Sequence, residues 1–176
     1  MSAPLFPLLA AATFGLQVPE NVPLPAVLLL VERQLRLLPH EVALAFDEAG
    51  TLRLFKTGGD SEVAFTDEEL LCLRNSLFTH NHPSQSFLTV RDIEFACHHD
   101  VAQLRAVAGP VVHVLTRPTA GWPLARCQQL VATEQARLRK CFAHAGADRA
   151  LARRQWNAFA HKLVVRLSLP LSLETL

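Results

Sequence analysis

The sequence predicts an α/β domain in which a mostly antiparallel sheet is flanked by helices and followed by a C-terminal pair of helices. Half of the 176 residues are hydrophobic, which is ample for one core. Short apolar stretches with a period of two are interspersed with longer stretches of helical period, and turn or capping residues separate them. We therefore expect one sheet with helices on both of its sides.

The first part of the chain is predicted to contain an arm and a helix. Residues 1–24 are rich in proline, and we expect an irregular N-terminal arm there. A helix is predicted from Pro25 to Leu38, because proline suits the first helical turn and apolar side chains then recur at helical spacing. This helix opens a domain that spans residues 25–123.

Two strands and a turn follow the first helix. Strands are predicted near 41–47 and 51–56, where apolar residues alternate. The residues between them, Asp-Glu-Ala-Gly at 47–50, are typical of a turn. A third and shorter strand is predicted at 62–65.

Two capping signatures place the next helices. Thr66 opens a capping box and predicts a helix to about Asn75, whereas Thr89 predicts a longer helix to about Val107. Between them, the residues 77–82 are predicted to form a strand. This order places a strand, a short loop and a helix start in direct succession.

The remaining elements are one strand and two helices. The strand is predicted at 111–115, and helices are predicted at 124–144 and 149–167. The two helices make up a C-terminal helical extension, residues 124–176, that packs on the domain. In the last helix, the bulky side chain of Trp156 is expected in the core.

A candidate metal site lies in the segment 79–92. If His80 and His82 end a strand, the period of two turns both imidazoles to one face. Pro83 then favours a turn, and Asp92 follows in the first turn of the next helix. Three protein ligands with an open fourth position for water are typical of a catalytic zinc site.

Each half of this pattern also has a simpler explanation. A pair of histidines one residue apart is often solvated on an edge strand. A Thr-x-x-Asp sequence is a plain capping signature, and the helix dipole favours its carboxylate. The combination is more specific, because it needs four residue types at fixed offsets across a strand, a loop and a helix.

The segment resembles the JAMM/MPN+ family of zinc metallopeptidases, also called JAB domains. That family has a distant upstream Glu, then H-x-H, then Ser-x-x-Asp. The resemblance implies that His80, His82 and Asp92 bind Zn²⁺, that Glu41 is the upstream acid, and that Thr89 takes the Ser position. The segment HNHPS at residues 80–84 is most similar to the bacterial RadC-like branch and to the JAB-type domains of phage head proteins and effectors.

The resemblance also implies a fold, and the chain differs from the family pattern at two points. It implies a JAB/MPN-like sandwich similar to that of cytidine deaminases. Nine residues separate His82 from Asp92, one fewer than in the family pattern, and Thr89 replaces Ser. We expect the shorter loop and the added methyl group to affect rate and substrate range more than metal binding.

Two acidic residues compete for the catalytic role. In the stretch 41–46, Glu41 shares one face with two small residues, Ala43 and Ala45, which leaves room for water and substrate. Glu48 lies in the predicted turn and is expected to be solvated. We therefore assign Glu41 as the catalytic acid, and the competing interpretation is a surface acid at a strand start.

The resemblance implies a zinc-dependent hydrolase of amide or isopeptide bonds. Its substrate would be a protein or a peptide, such as one joined to a ubiquitin-like modifier. The alternative is a RadC-like or scaffold module, associated with nucleic acid or phage and without protease activity. The complete set of candidate ligands argues against a scaffold, which does not need them together.

The charge pattern gives a weaker indication. Acidic side chains dominate residues 1–100 and basic ones dominate residues 101–176, for a net charge of +1. A nucleic-acid surface on the basic half is possible, but a solvated helix face is favoured, because aromatic residues are not interleaved with the arginines. We do not expect nucleic acid to be a partner.

Localisation is predicted from cysteines and from the N-terminal residues. The four cysteines show no C-x-x-C pairing, which indicates no disulfide framework and fits a reducing cytosol. No Lys or Arg precedes Arg33, and prolines interrupt the apolar runs, so no secretory signal is expected. The longest clean apolar run, 26–31, is too short to span a bilayer. We expect a cytoplasmic protein.

Overall fold

A computed structural model describes residues 5–19, 22–59, 63–143 and 149–176. The strands within these residues are β1 Val42–Phe46, β2 Leu52–Thr57, β3 Leu77–Asn81, β4 Gln103–Ala108, β5 Val111–Thr116 and β6 Leu171–Thr175. The helices are α1 Leu5–Thr13, α2 Leu24–Leu35, α3 Asp67–Leu71, α4 Val90–His99, α5 Leu124–Ala143 and α6 Arg149–Arg166. The predicted α/β class is confirmed.

The described strands form one six-stranded mixed sheet in the order β2-β1-β3-β4-β5-β6. Neighbouring strands are antiparallel except for β3 and β4, which run parallel. A parallel pair needs a crossover connection, and α4 lies in that connection. The crossover therefore starts at the end of β3, where the candidate histidines lie.

The alternation along β1 separates two apolar cores on opposite faces of the sheet. Ala43 and Ala45 face the core formed with α4, α5 and α6. Val42, Leu44 and Phe46 face the core formed with α1 and α2. The sequence pattern of this strand therefore predicted both faces correctly.

A buried ion-pair network links α2 and the edge strand β6 to the central strands of the sheet. Arg105 on β4 donates from Nε and Nη2 to the two carboxylate oxygens of Glu32 on α2, at 2.6 and 2.9 Å. Arg105 also donates to Glu174 on β6, and the Thr79 hydroxyl of β3 donates to Glu32 at 3.0 Å. The charged groups thus tie an N-terminal helix and the C-terminal strand to the central strands.

The prediction of an irregular N-terminal arm at 1–24 is wrong for much of its described part. Residues Leu5–Thr13 form α1, and Ala11 and Leu16 are buried against the sheet. Pro7 is compatible with this helix because the first-turn N–H groups have no intrahelical partner to lose. Residues 1–4 and 20–21 lie outside the described residues.

The prediction of a helix from Thr89 to Val107 is also wrong. The helix ends at His99, because Asp100 adopts the left-handed conformation with φ of 52°. Residues Gln103–Ala108 form β4, which pairs with β3 on one side and β5 on the other. The run is apolar enough for either structure, and the two neighbouring strands decide between them.

Three smaller predictions need correction. The strand predicted at 62–65 does not occur in its described part, residues 63–65, and residue 62 lies outside the described residues. The helix capped by Thr66 ends at Leu71 instead of Asn75. The sequence analysis did not predict β6, which adds an edge strand from the C-terminal extension to the sheet.

Candidate metal centre

The end of β3 presents two imidazoles on one side of the sheet. His80 lies within the strand, and the His82 amide donates to the Val107 carbonyl at 2.8 Å, so pairing with β4 continues past Asn81. The Asn81 side chain points the other way, accepting from the Val42 amide at 2.7 Å and donating to the carbonyl of His40 at 2.9 Å. The period of two is therefore kept through the histidine pair.

The turn after β3 orients the His82 ring. His82 Nδ1 lies 3.0 Å from the Ser86 carbonyl oxygen, which can only accept a hydrogen bond. Nδ1 therefore carries a proton in this contact, so the neutral form of the ring presents the lone pair of Nε2 to the site. A backbone carbonyl on the second ring nitrogen is the usual support for a metal-ligating histidine.

The capping box at the start of α4 fixes Asp92. The Asp92 amide donates to the Thr89 hydroxyl at 3.2 Å, and the Thr89 amide donates to Asp92 Oδ2 at 2.6 Å. The Thr89 hydroxyl in turn donates to the same carboxylate oxygen at 2.8 Å. Local helix-start chemistry thus holds the carboxylate where the sequence predicted it.

The three candidate ligands converge. The Nε2 atoms of His80 and His82 are 2.9 Å apart. Asp92 Oδ1 lies 3.4 Å from His80 Nε2, and Asp92 Oδ2 lies 3.3 Å from His82 Nε2. Ligand atoms at zinc-bond lengths in a tetrahedral site stand about 3.4 Å from one another. The observed spacings are close to this value, so the residues present fit a zinc ion.

The site is buried and strongly polarised. His80 and His82 are each 5% exposed, and Asp92 is partly buried. Burial acts to raise the pKa of Asp92, but the charges and hydrogen bonds of His80 and His82 hold it far below its ordinary value. Burial acts to lower the pKa of His82, but its contacts with Asp92 outweigh this and leave the pKa above its ordinary value. The carboxylate is therefore ionised and available to a cation.

His80 differs from its neighbour in its outer contacts. His80 Nδ1 is buried and has no hydrogen-bond partner among the described residues. The ring instead packs beside Phe78, with centroids 5.5 Å apart. Packing therefore sets the orientation of His80, whereas a hydrogen bond sets that of His82.

A cavity of about 500 Å³ opens over the three residues. The described residues that line it are Glu41, Ala43, Val63, Phe65, Phe78, His80, His82, Thr89, Arg91, Asp92, Phe95, Arg153, Trp156 and Asn157. Every residue that the sequence analysis assigned to catalysis or metal binding is in this set. Their convergence was predicted, and their roles stay predictions.

The two candidate acids are placed differently. Glu41 directly precedes β1, and its amide and carbonyl bond to the backbone of Gly59 and Gly58 at 2.8 Å each. Glu41 lines the same cavity as His80 and His82, and its charge is one of the causes that raise the pKa of His82. Glu48 is exposed in the turn after β1 and does not line the cavity. Glu41 therefore lies at the cavity and Glu48 does not, as the alternation at 41–46 and the turn at 47–50 predicted.

Sequence reasoning missed the contribution of α6. Trp156, expected in the core, is half-buried and lines the cavity together with Arg153 and Asn157. Their spacing of three and four residues marks one helix face, but it does not indicate which element that face meets. Asn81 was also missed, because it bonds to the backbone of Val42 and His40, which are distant in sequence. Ser86 was missed because it acts through its backbone carbonyl, which the residue type does not reveal.

Comparison of the chain with protein-family models, with curated proteins and with solved structures found no match. The resemblance to JAMM proteins therefore depends on the motif residues and on their geometry alone. Among the described residues, no helix has the length and apolar character needed to cross a membrane.

Proposed function

We propose that the chain is a zinc-dependent hydrolase of amide or isopeptide bonds, of the JAMM type. The observation that carries the proposal is the convergence of His80, His82 and Asp92 in one cavity that Glu41 also lines. Two imidazoles and a carboxylate leave a fourth position open, which is the arrangement of catalytic zinc sites.

Each residue has a distinct role in the proposed mechanism. Zinc held by His80, His82 and Asp92 would polarise the scissile carbonyl and lower the pKa of a bound water to about 7. Glu41 accepts the proton of the attacking water and delivers it to the leaving amine. Because Glu41 enters from β1 and the ligands from β3 and α4, it lies beside them without being held in the ligand cluster.

Thr89 is the proposed donor to the developing oxyanion. Its hydroxyl has one proton, which it donates in a hydrogen bond to Asp92 Oδ2 in the present arrangement. The Thr89 amide donates to the same oxygen, so Asp92 keeps a donor if the hydroxyl turns toward substrate. A donor of this kind has been worth about 3 kcal/mol of transition-state stabilisation in another hydrolase.

The proposal is tested by metal content and by turnover together. Protein purified without chelator is expected to hold one zinc per chain by elemental analysis, and Asp92→Ala is expected to lose it. Cleavage of a panel of peptides and ubiquitin-like fusions should disappear in Glu41→Gln, which keeps the metal. Glu48→Gln is the matched control and should cleave like the parent.

The outcomes separate the alternatives. Less than about a tenth of an equivalent of zinc after zinc addition would remove the metal site, since three ligands of this type bind tightly. Full zinc with no cleavage by any protein would favour the non-proteolytic, RadC-like or scaffold module. Equal cleavage by the parent and Glu41→Gln would remove Glu41 as the general base.

A further inference from the structure

Helix α6 lines part of the cavity and contributes the cationic side chain of Arg153 to it. Its buried side, with Phe159, Ala160 and Leu163 at most 1% exposed, anchors the helix in the core shared with α4. The neighbouring face, one to two turns earlier, carries Arg153 and Trp156 to the cavity. The C-terminal extension therefore supplies part of the cavity wall.

Another part of the cavity lining is aromatic and extends to the candidate ligand His80. The rings of Phe65, Phe78 and Phe95 pack with centroids 5.0 to 6.1 Å apart. The Phe78 ring then contacts His80. A substrate bound at the metal site therefore has an apolar surface beside the bond that is to be cleaved.

The proposed mechanism uses neither of the two arginines that line this cavity, Arg91 and Arg153, and Arg153 is the one that α6 supplies. It is exposed, and no hydrogen bond or ion pair joins it to another described residue. The carboxylate of Asp92 is already engaged by His80, His82 and Thr89. The guanidinium is therefore available to a ligand, and its fork of donors matches a carboxylate.

The formal charges favour an anionic ligand. Two arginines, Arg91 and Arg153, and two carboxylates, Glu41 and Asp92, are the charged side chains among the described lining residues. These cancel, so a bound divalent ion leaves the lining with a charge of about +2. The volume of about 500 Å³ suits one or two amino-acid residues but excludes a folded domain.

We propose that the cavity takes a peptide or N-acyl amino acid with an aromatic or large aliphatic side chain and a carboxylate, and that Arg153 binds this carboxylate. The inference rests on the proposed function, because it names the substrate class of the same site. The carboxylate can be the C-terminal one or that of an acidic side chain, since Arg153 offers the same hydrogen bonds to both.

Binding of small probes tests the proposal without turnover. N-acetyl-phenylalanine is compared with N-acetyl-phenylalanine amide by tryptophan fluorescence, with and without zinc. Trp156 lines the cavity and reports binding, whereas Trp122 donates to the Val101 carbonyl outside it. We expect the acid to bind about tenfold more tightly than the amide, the size of a charge-assisted hydrogen bond.

Variants of α6 test whether Arg153 causes the preference for the acid over the amide. Arg153→Gln should reduce the difference between acid and amide to about twofold or less, and Arg153→Lys should restore part of it. Arg154→Gln is the matched control, because Arg154 is also an exposed arginine of α6 but does not line the cavity. A carboxylate held by zinc alone would leave the preference unchanged in Arg153→Gln and would overturn the proposal.

A third probe distinguishes the two sources of the carboxylate. N-acetyl-aspartyl-phenylalanine amide has an acidic side chain and a blocked C-terminus, so tight binding that depends on Arg153 assigns the side chain. The inference would be refuted if the parent bound acid and amide equally. It would also be refuted if Arg153→Gln and Arg154→Gln reduced the preference for the acid by the same factor. These readouts do not need zinc or cleavage, so absence of metal would refute the proposed function separately.

Discussion

Replacing Glu32 with Gln is expected to lower the free energy of unfolding by about 3 kcal/mol, because it leaves the charge of Arg105 buried and only partly compensated. The two side chains are 1% and 6% exposed, and the bidentate contact measures 2.6 and 2.9 Å. Removing one partner of such a pair costs about 3–5 kcal/mol. The lower end applies here, because Glu174 stays as a second partner of Arg105.

Urea unfolding at neutral pH measures this loss. For a domain of this size, it corresponds to a fall in melting temperature of about 6–12 °C. Glu174→Gln is the control, because the Glu174 side chain is 51% exposed. We expect it to lose less than about 1 kcal/mol, as half-exposed ion pairs do.

A second variant separates the buried charge from packing. Changing both Glu32 and Arg105 to Met removes the charges together and should recover most of the stability that Glu32→Gln loses. A loss below about 1 kcal/mol in Glu32→Gln, with an unchanged dependence on urea, would refute the argument. So would a double variant that is less stable than the single one.

Three other outcomes follow from the site and its surroundings. Zinc at about 100 times its dissociation constant should stabilise the parent by about 2.7 kcal/mol in thermal unfolding, and His82→Ala should show no such shift. Thr89→Ala should cost about 1 kcal/mol in urea through the lost cap, whereas Thr89→Ser, which keeps the hydroxyl, should stay within about half of that. The hydrogen bond from Arg105 holds the pKa of Glu174 below its ordinary value of 4.5. Its stabilising effect is therefore complete above that value and is lost as pH falls through the lowered pKa. Between about pH 6 and about pH 3, the parent should lose more stability than Glu174→Gln, and equal losses would contradict the assignment.

The parts of the site that local chemistry determines could be predicted from the sequence. A strand period placed His80 and His82 on one face, a capping box placed Asp92, and the alternation of β1 selected Glu41 over Glu48. Each of these signals spans a few residues, because pleat and cap geometry act over one or two turns of chain.

The parts that depend on partners distant in sequence could not be predicted. The apolar run at 103–108 suits a helix or a strand, and only its pairing with β3 and β5 makes it β4. β6 is held by β5 and by an ion pair to Arg105, neither of which its own residues reveal. The entry of Arg153 into the cavity depends on how α6 packs on α4, which helical periodicity leaves open.

Holding an ion and performing chemistry place different demands on this molecule. The three candidate ligands lie within the single stretch 80–92, so closing that short loop around an ion costs little chain entropy. Glu41 reaches them only when β1 has paired with β3, and Arg153 only when α6 has docked. A chain in which the β1–β2 hairpin has separated from β3, or the last helix from the core, can therefore still carry a full equivalent of zinc. A metal assay alone would count such molecules as intact, and only substrate or probe binding would reveal them.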